Sequence, residues 1–149
     1  MRFTGERYIP EASEGYPFSE EMTIEHYLRY FLARKLVHGK DVLDIACGAG
    51  YGSAILASSG KSVIGVDISA DAVDHASKIY QLSNLTFLQG DAADIPLPDS
   101  SVDIVVSFET IEHHARHEKM MREIVRVLRP MGQLLLSSPD RSTNGDRLP

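Results

Sequence analysis

One stretch constrains this 149-residue chain more than any other: Val42-Leu43-Asp44-Ile45-Ala46-Cys47-Gly48-Ala49-Gly50-Tyr51-Gly52-Ser53. A short apolar run carrying a carboxylate passes into a glycine-rich turn, and the turn opens a helix. That order is the first unit of an open α/β sheet. Glycines in such a turn let the backbone approach a nucleotide-type cofactor closely, where any β-carbon would obstruct it.

The rest of the chain repeats the alternation. Apolar runs at 42–46, 63–66, 85–88, 102–107 and 133–138 predict strands, with helices near 51–59, 70–82 and 117–128 between them. Ser69 is placed to cap the second of these helices. The third stops before Arg129-Pro130-Met131-Gly132, a turn with helix-ending proline and glycine. Near-continuous apolar strands alternating with helices imply a mostly parallel sheet covered on both faces. Ahead of this unit, residues 1–18 read as an irregular arm. Ser19 then caps a helix with Glu20 and Glu21 in its first turn; Ile24, Leu28, Phe31, Leu32 and Leu36 follow at helical spacing, and Gly39 stops it. The expected organisation is an N-terminal arm and helix serving as a lid or cap (1–39), a cofactor-binding core (40–139) and a polar tail (140–149).

Composition narrows the function classes. The chain is 43% hydrophobic and 24% charged, ordinary for a soluble globular domain. No apolar run approaches the roughly 20 residues that span a bilayer, and the N-terminus lacks the apolar core of a secretory signal. The single cysteine, Cys47, rules out an internal disulfide and suits a reducing cytoplasm. A formal charge of −6 argues against broad nucleic-acid binding.

Three carboxylates recur at comparable places, each at or just past a strand's C-terminal end: Asp44, Asp67 and Asp91. Open parallel sheets bind ligands outside those ends. Asp67 lies about 20 residues beyond the glycine turn, the usual distance for a carboxylate that grips ribose hydroxyls. One such residue alone is as well explained by capping the next turn; three in register favour a ligand.

On these motifs the chain resembles the class I S-adenosylmethionine-dependent methyltransferases. The matching segments are 42–53, 63–69, 87–98 with Gly90-Asp91-Ala92, 102–113 and 128–139, in the family's order. The arm Thr4-Gly5-Glu6-Arg7-Tyr8-Ile9-Pro10, with Glu25-His26 and Arg29-Tyr30, is similar to a bacterial subgroup often found among glycan- and cell-surface-modifying enzymes. The resemblance implies a Rossmann-like sheet of about five strands in the order 3-2-1-4-5, lacking the family's usual last two strands. It also implies S-adenosylmethionine as cofactor and S-adenosylhomocysteine as product. Asp44 and the turn Ala46, Cys47, Gly48 and Gly50 would face the methionine end, and Asp67 the ribose. Ile68 would pack on the adenine, Asp91 with the Ala92 amide would read the adenine edge, and Ser107 and Phe108 would border the amino-acid portion. Ala46 stands where the family commonly has glycine, a methyl group that a negative φ would accommodate. Cys47 reads as a small packing residue rather than a nucleophile.

For the transfer step, a hydroxyl or ammonium acceptor needs a general base. His113 is the candidate, oriented by Glu112 or Glu109; the plainer alternative is that the glutamates charge a helix N-terminus and the histidines are solvated. His113 and His117, four apart, have no third metal ligand in view. His26 reads as surface or packing, or as a substrate contact if the N-terminal helix lids the pocket. The expected acceptor is a small molecule, a sugar or a lipid-linked glycan. A cofactor-binding module or fragment without turnover is the rival, and a nicotinamide-dinucleotide oxidoreductase domain a remote one, since Gly48-Ala49-Gly50-Tyr51-Gly52-Ser53 misses G-x-G-x-x-G. A fifth strand that ends the sheet leaves an apolar edge. The chain is therefore expected to be a piece of a longer protein, or to cover that edge with its arm or by homodimerisation.

Overall fold

A computed structural model describes residues 20–111 and 115–138, with side chains from residue 24. Strands β1 (Asp41–Ile45), β2 (Ser62–Asp67), β3 (Leu85–Gln89), β4 (Val102–Phe108) and β5 (Leu128–Ser137) form one parallel sheet in the order β3-β2-β1-β4-β5. Helices α1 (Glu20–Leu36), α2 (Tyr51–Ala57), α3 (Ala70–Ile79) and α4 (His117–Val127) accompany it. The alternation of the sequence is thus the alternation of the fold. None of the described helices is long and apolar enough to cross a membrane. The arm, the Ser19 cap and the tail lie outside the described residues.

The sheet separates two apolar cores, because successive strand side chains point to opposite faces. Val42, Ile104 and Val106 meet α1, α2 and α3 through Tyr30, Val37, Leu56, Val73 and Ala76. On the other face Leu43, Ile45 and Val105 meet Met120, Ile124 and Val127 of α4. By the same parity Asp44 turns toward α1 and α2. Ser69 caps α3 by accepting from the Ala72 amide.

Two elements depart from expectation. In α1 the residues whose spacing signals a helix are not the ones it buries. Ile24, Leu28, Phe31, Leu32 and Leu36 are all exposed, while Tyr30, Ala33 and, just past the helix end, Val37 are packed inside. The helix is apolar on two sides, and the sheet takes the side that also carries a hydroxyl. In β5 the anticipated turn at 129–132 is absorbed into the strand as a bulge. Leu128 pairs with Val102 and Gln133 with Ile104, so the register slips between them. Met131 at the bulge has φ +67 and is 98% exposed. The Arg129 guanidinium ties the bulge down, donating to Asp41 (2.8 Å) and Asp103 (3.0 Å) at the starts of β1 and β4.

Candidate functional site

The sheet order reverses between β1 and β4, and the crevice outside the C-terminal ends of such strands is where open α/β sheets bind ligands. A cavity of about 470 Å³ opens there. The chain leaves both central strands through backbone that L-residues seldom adopt: Ala46 follows β1 with φ +56 and Glu109 follows β4 with φ +55. This corrects the expectation of a negative φ at Ala46. Left-handed backbone costs an L-residue about 1–2 kcal/mol, and such residues concentrate at ligand sites. The strain turns the β1 exit so that Ala46, Cys47 and Gly48 form one wall of the cavity. A β-carbon on Gly48 would project into open space, with no atom within 4 Å.

Asp67 and Ile68, at the end of β2, form the next wall. Asp67 is held rigidly and is only 4% exposed: Oδ2 accepts from the Gly48 amide and Oδ1 from the Ser69 amide, each at 2.9 Å. The carboxylate therefore locks the glycine turn to β2 while still facing the cavity. Ile68 beside it is 64% exposed, an apolar surface with little of this chain upon it. Asp91 and Ala92, past β3, close the far side. Asp91 Oδ1 accepts from the Ala93 amide (2.8 Å), and its other oxygen pairs with Arg116. Phe108 at the end of β4 and Glu109 just after it also line the cavity, and α1 adds His26 and Tyr30.

Asp44, Gly50 and Ser107 do not line this cavity. Asp44 is wholly buried, one layer behind the wall. Tyr30 Oη donates to Oδ1 (3.2 Å) and Ser53 Oγ to Oδ2 (2.6 Å). Burial pushes this carboxyl up to about 7; the two hydroxyls oppose the rise and nearby Asp67 adds to it. Gly50 (φ +84) serves packing, since its β-carbon would meet Ala76 at 2.6 Å and the Phe87 ring at 2.8 Å. Gly52 is needed for α1: a β-carbon there would fall 2.2 Å from the Tyr30 ring. The buried Ser107 hydroxyl meets no partner among the described residues. Cys47 is 4% exposed, and burial pushes its thiol well up, against a nucleophilic role.

Of the proposed catalytic group, Glu112 and His113 lie outside the described residues. Glu109 is held between Arg29 Nη1 (3.2 Å) and Ser137 Oγ (3.1 Å). His26 sits on the cavity wall, and burial, with Arg29 beside it, holds its imidazole below the ordinary value. Among the described residues no cluster of His, Cys, Asp or Glu could hold a metal. Sequence reasoning missed Tyr30 and Arg116 as wall residues. Their contacts span 14 and 25 residues, and no spacing rule links them to the strand ends.

The profile of the family described as "methyltransferase domain" matches residues 43–136. A probable S-adenosylmethionine-dependent methyltransferase of Mycolicibacterium smegmatis is 40% identical over 144 residues, covering 96% of this chain and 53% of the relative. A fatty-acid O-methyltransferase of the same organism is 32% identical over 134 residues, covering 86% of this chain and 49% of that one. Among solved structures, the Bacillus YcgJ protein superposes with a TM-score of 0.70 at 33% identity, over 74% of this chain and 50% of its own. The chain thus spans about half the length of the curated relatives it matches. The family's segments and the sheet order leave no reason to retain the dinucleotide reading, and the chain belongs to the class I S-adenosylmethionine-dependent methyltransferases.

Proposed function

We propose that this chain holds S-adenosylmethionine in the cavity above β1, β2 and β4, and that the protein it represents methylates a small acceptor. The observation that carries the reading is Asp67, a buried carboxylate locked by two backbone amides at the cavity wall with exposed Ile68 beside it. A preorganised acceptor next to an uncovered apolar side chain fits a ribose diol joined to a purine. The open space over Gly48 suits the methionine portion, and Asp91 with the Ala92 amide suits the adenine edge. When bound, the cofactor supplies a methyl group already activated on a sulfonium.

The work left to this chain is largely positioning, which can contribute about 7–11 kcal/mol. Glu109, fixed by Arg29 and Ser137, orients rather than accepts a proton. His113, oriented by Glu112 or Glu109, remains our proposed base. His26 is a second reading, favoured by its place on the cavity wall, where burial and Arg29 lower its basicity. The relative named a fatty-acid O-methyltransferase supports a lipid-type acceptor bearing oxygen, while sugars and lipid-linked glycans stay within the proposal. The outer edge of β5 pairs with no described strand and is where a second copy would add; light scattering reads that directly.

Calorimetry with S-adenosylmethionine and S-adenosylhomocysteine tests the site. Asp67→Ala should weaken both by at least about tenfold, the equivalent of roughly 1.4 kcal/mol. Unchanged affinity would remove Asp67 from the site. Binding without methyl release across an acceptor panel would favour a module without turnover.

A further inference from the structure

The methyl donor and its product differ chiefly by one unit of charge: sulfur is a cation before transfer and a neutral thioether after it. A site that turns over gains from feeling that difference. The cavity wall carries the carboxylates Asp67, Asp91 and Glu109, but Asp91 is paired with Arg116 and Glu109 with Arg29. Behind the wall formed by Cys47 and Tyr30 lies one more acidic group, Asp44, fully buried.

Its surroundings are unusual for a buried acid. From α1 the Tyr30 hydroxyl reaches Oδ1; from α2 the Ser53 hydroxyl reaches Oδ2. The glycine turn brings the Cys47 thiol, and β2 brings Asp67. Among the described residues, the groups that act on the Asp44 carboxyl are Ser53, Tyr30 and Asp67, none of them a cation. Buried charges are normally paired, and one that is not is held only by hydrogen bonds and is poised to take up a proton. A cation arriving in the cavity would complete the pair. Tyr30 connects the two places, since its hydroxyl holds Asp44 while its side chain also lines the cavity.

We propose that Asp44, clamped by Tyr30 and Ser53 behind the cavity wall, is the residue by which this site tells the positively charged methyl donor from its neutral product. The inference rests on the cofactor assignment above. Donor binding draws Asp44 into its ionised form, and the proton released goes to the buffer. The product brings the α-ammonium that the donor also carries but not the sulfonium, and so draws Asp44 toward its ionised form less. Near neutral pH the free carboxyl is shared between its two forms, in keeping with its elevation to about 7.

The test is calorimetry of both ligands against the chain from about pH 5.5 to about pH 8.5, in paired buffers of different ionisation enthalpy. The ratio of donor to product affinity should rise about tenfold across neutrality, with donor binding releasing protons near pH 7. Asp44→Asn should flatten that rise. Each ligand's own α-amino group titrates too, and differently beside a sulfonium than beside a thioether, but that part survives in Asp44→Asn, so only the part of the rise that the variant removes is assigned to Asp44. Tyr30→Phe removes a hydroxyl that favours the ionised form and should move the midpoint to higher pH. If Asp44→Asn does not fold, Tyr30→Phe decides alone. A ratio that is flat in the unmodified chain, one that rises equally in Asp44→Asn, or a midpoint unmoved in Tyr30→Phe overturns the inference while leaving the cofactor assignment standing. Failure of both ligands to bind at any pH overturns the assignment itself.

Discussion

Helices α1 and α4 carry the same apolar rhythm and use it in opposite ways. In α4 the residues at i, i+4 and i+7, Met120, Ile124 and Val127, are buried against the sheet. In α1 the equivalent positions Ile24, Leu28 and Phe31 face outward, and Tyr30, Ala33 and, just past the helix end, Val37 go in. Periodicity tells that a segment is a helix; it selects the buried face only when the other face is polar. Where both are apolar, the receiving surface decides. For α1 that surface offers Gly52, whose missing β-carbon leaves room for the Tyr30 ring, and Asp44, which accepts its hydroxyl. Tyr51 and Phe108 complete the seat, with ring centroids 5.5 and 5.0 Å from that of Tyr30.

The contrast can be broken by measurement. The largest effect is expected in α4, where Met120→Ala should cost about 2–5 kcal/mol in denaturant unfolding, as truncation of a fully buried side chain does. A cost below about 1 kcal/mol would mean that α4 is no better seated than the outer stripe of α1. Next comes the polar anchor of α1. Because Asp44 titrates near 7 in the folded chain and near 3.8 when unfolded, the folded state binds more protons between those values. The Asp44 contribution to stability should therefore be fully present below about pH 4, fall by up to a few kcal/mol as pH rises to about 7, and level off above it, while Asp41, Asp103 and Glu123, held low chiefly by hydrogen bonds, act in the opposite sense at acid pH. Asp44→Asn should remove this share of the slope, and an identical pH profile in the variant would show that the anchor carries no such charge.

Gly52→Ala probes the seat itself. A methyl group 2.2 Å from the Tyr30 ring forces that ring to move, for about 1–3 kcal/mol. Trimming the ring with Tyr30→Leu in the same chain should recover part of the loss; strict additivity would show that the two do not meet. The smallest effect belongs to the outer stripe. Leu28→Ser and Leu32→Ser, at positions 53% and 63% exposed, should each change stability by no more than about 0.5 kcal/mol. A larger loss would mean that this face is covered in solution, and the comparison with α4 would then narrow.

Legibility followed the range of the interaction. The strands, the glycine turn and the placement of Asp67 at the end of β2 and Asp91 past β3 depend on neighbours within a few residues, and they could be read from spacing. The Ala46 backbone could not, because its left-handed φ is imposed by where β1 must deliver the turn and not by the residue's own preference. Nor could the bulge in β5: the Arg129–Gly132 run reads locally as a turn, and only pairing with β4 makes it part of a strand. Asp44 was recognised as an acid of the first turn but not as one set behind the wall, since its partners Tyr30 and Ser53 arrive from two helices.

What the sequence determined unaided is the order of elements, and with it the family. Apolar runs, glycines and strand-end carboxylates encode local conformation, and right-handed crossovers leave few ways to assemble them. What only the tertiary structure decided is which apolar face of α1 is inside, which acid touches the cavity and which stands behind it, and where the backbone is strained. Those outcomes turn on contacts between segments 14 to 88 residues apart, from Tyr30 with Asp44 to Asp41 with Arg129, whose energies exist only once the sheet has brought the segments together.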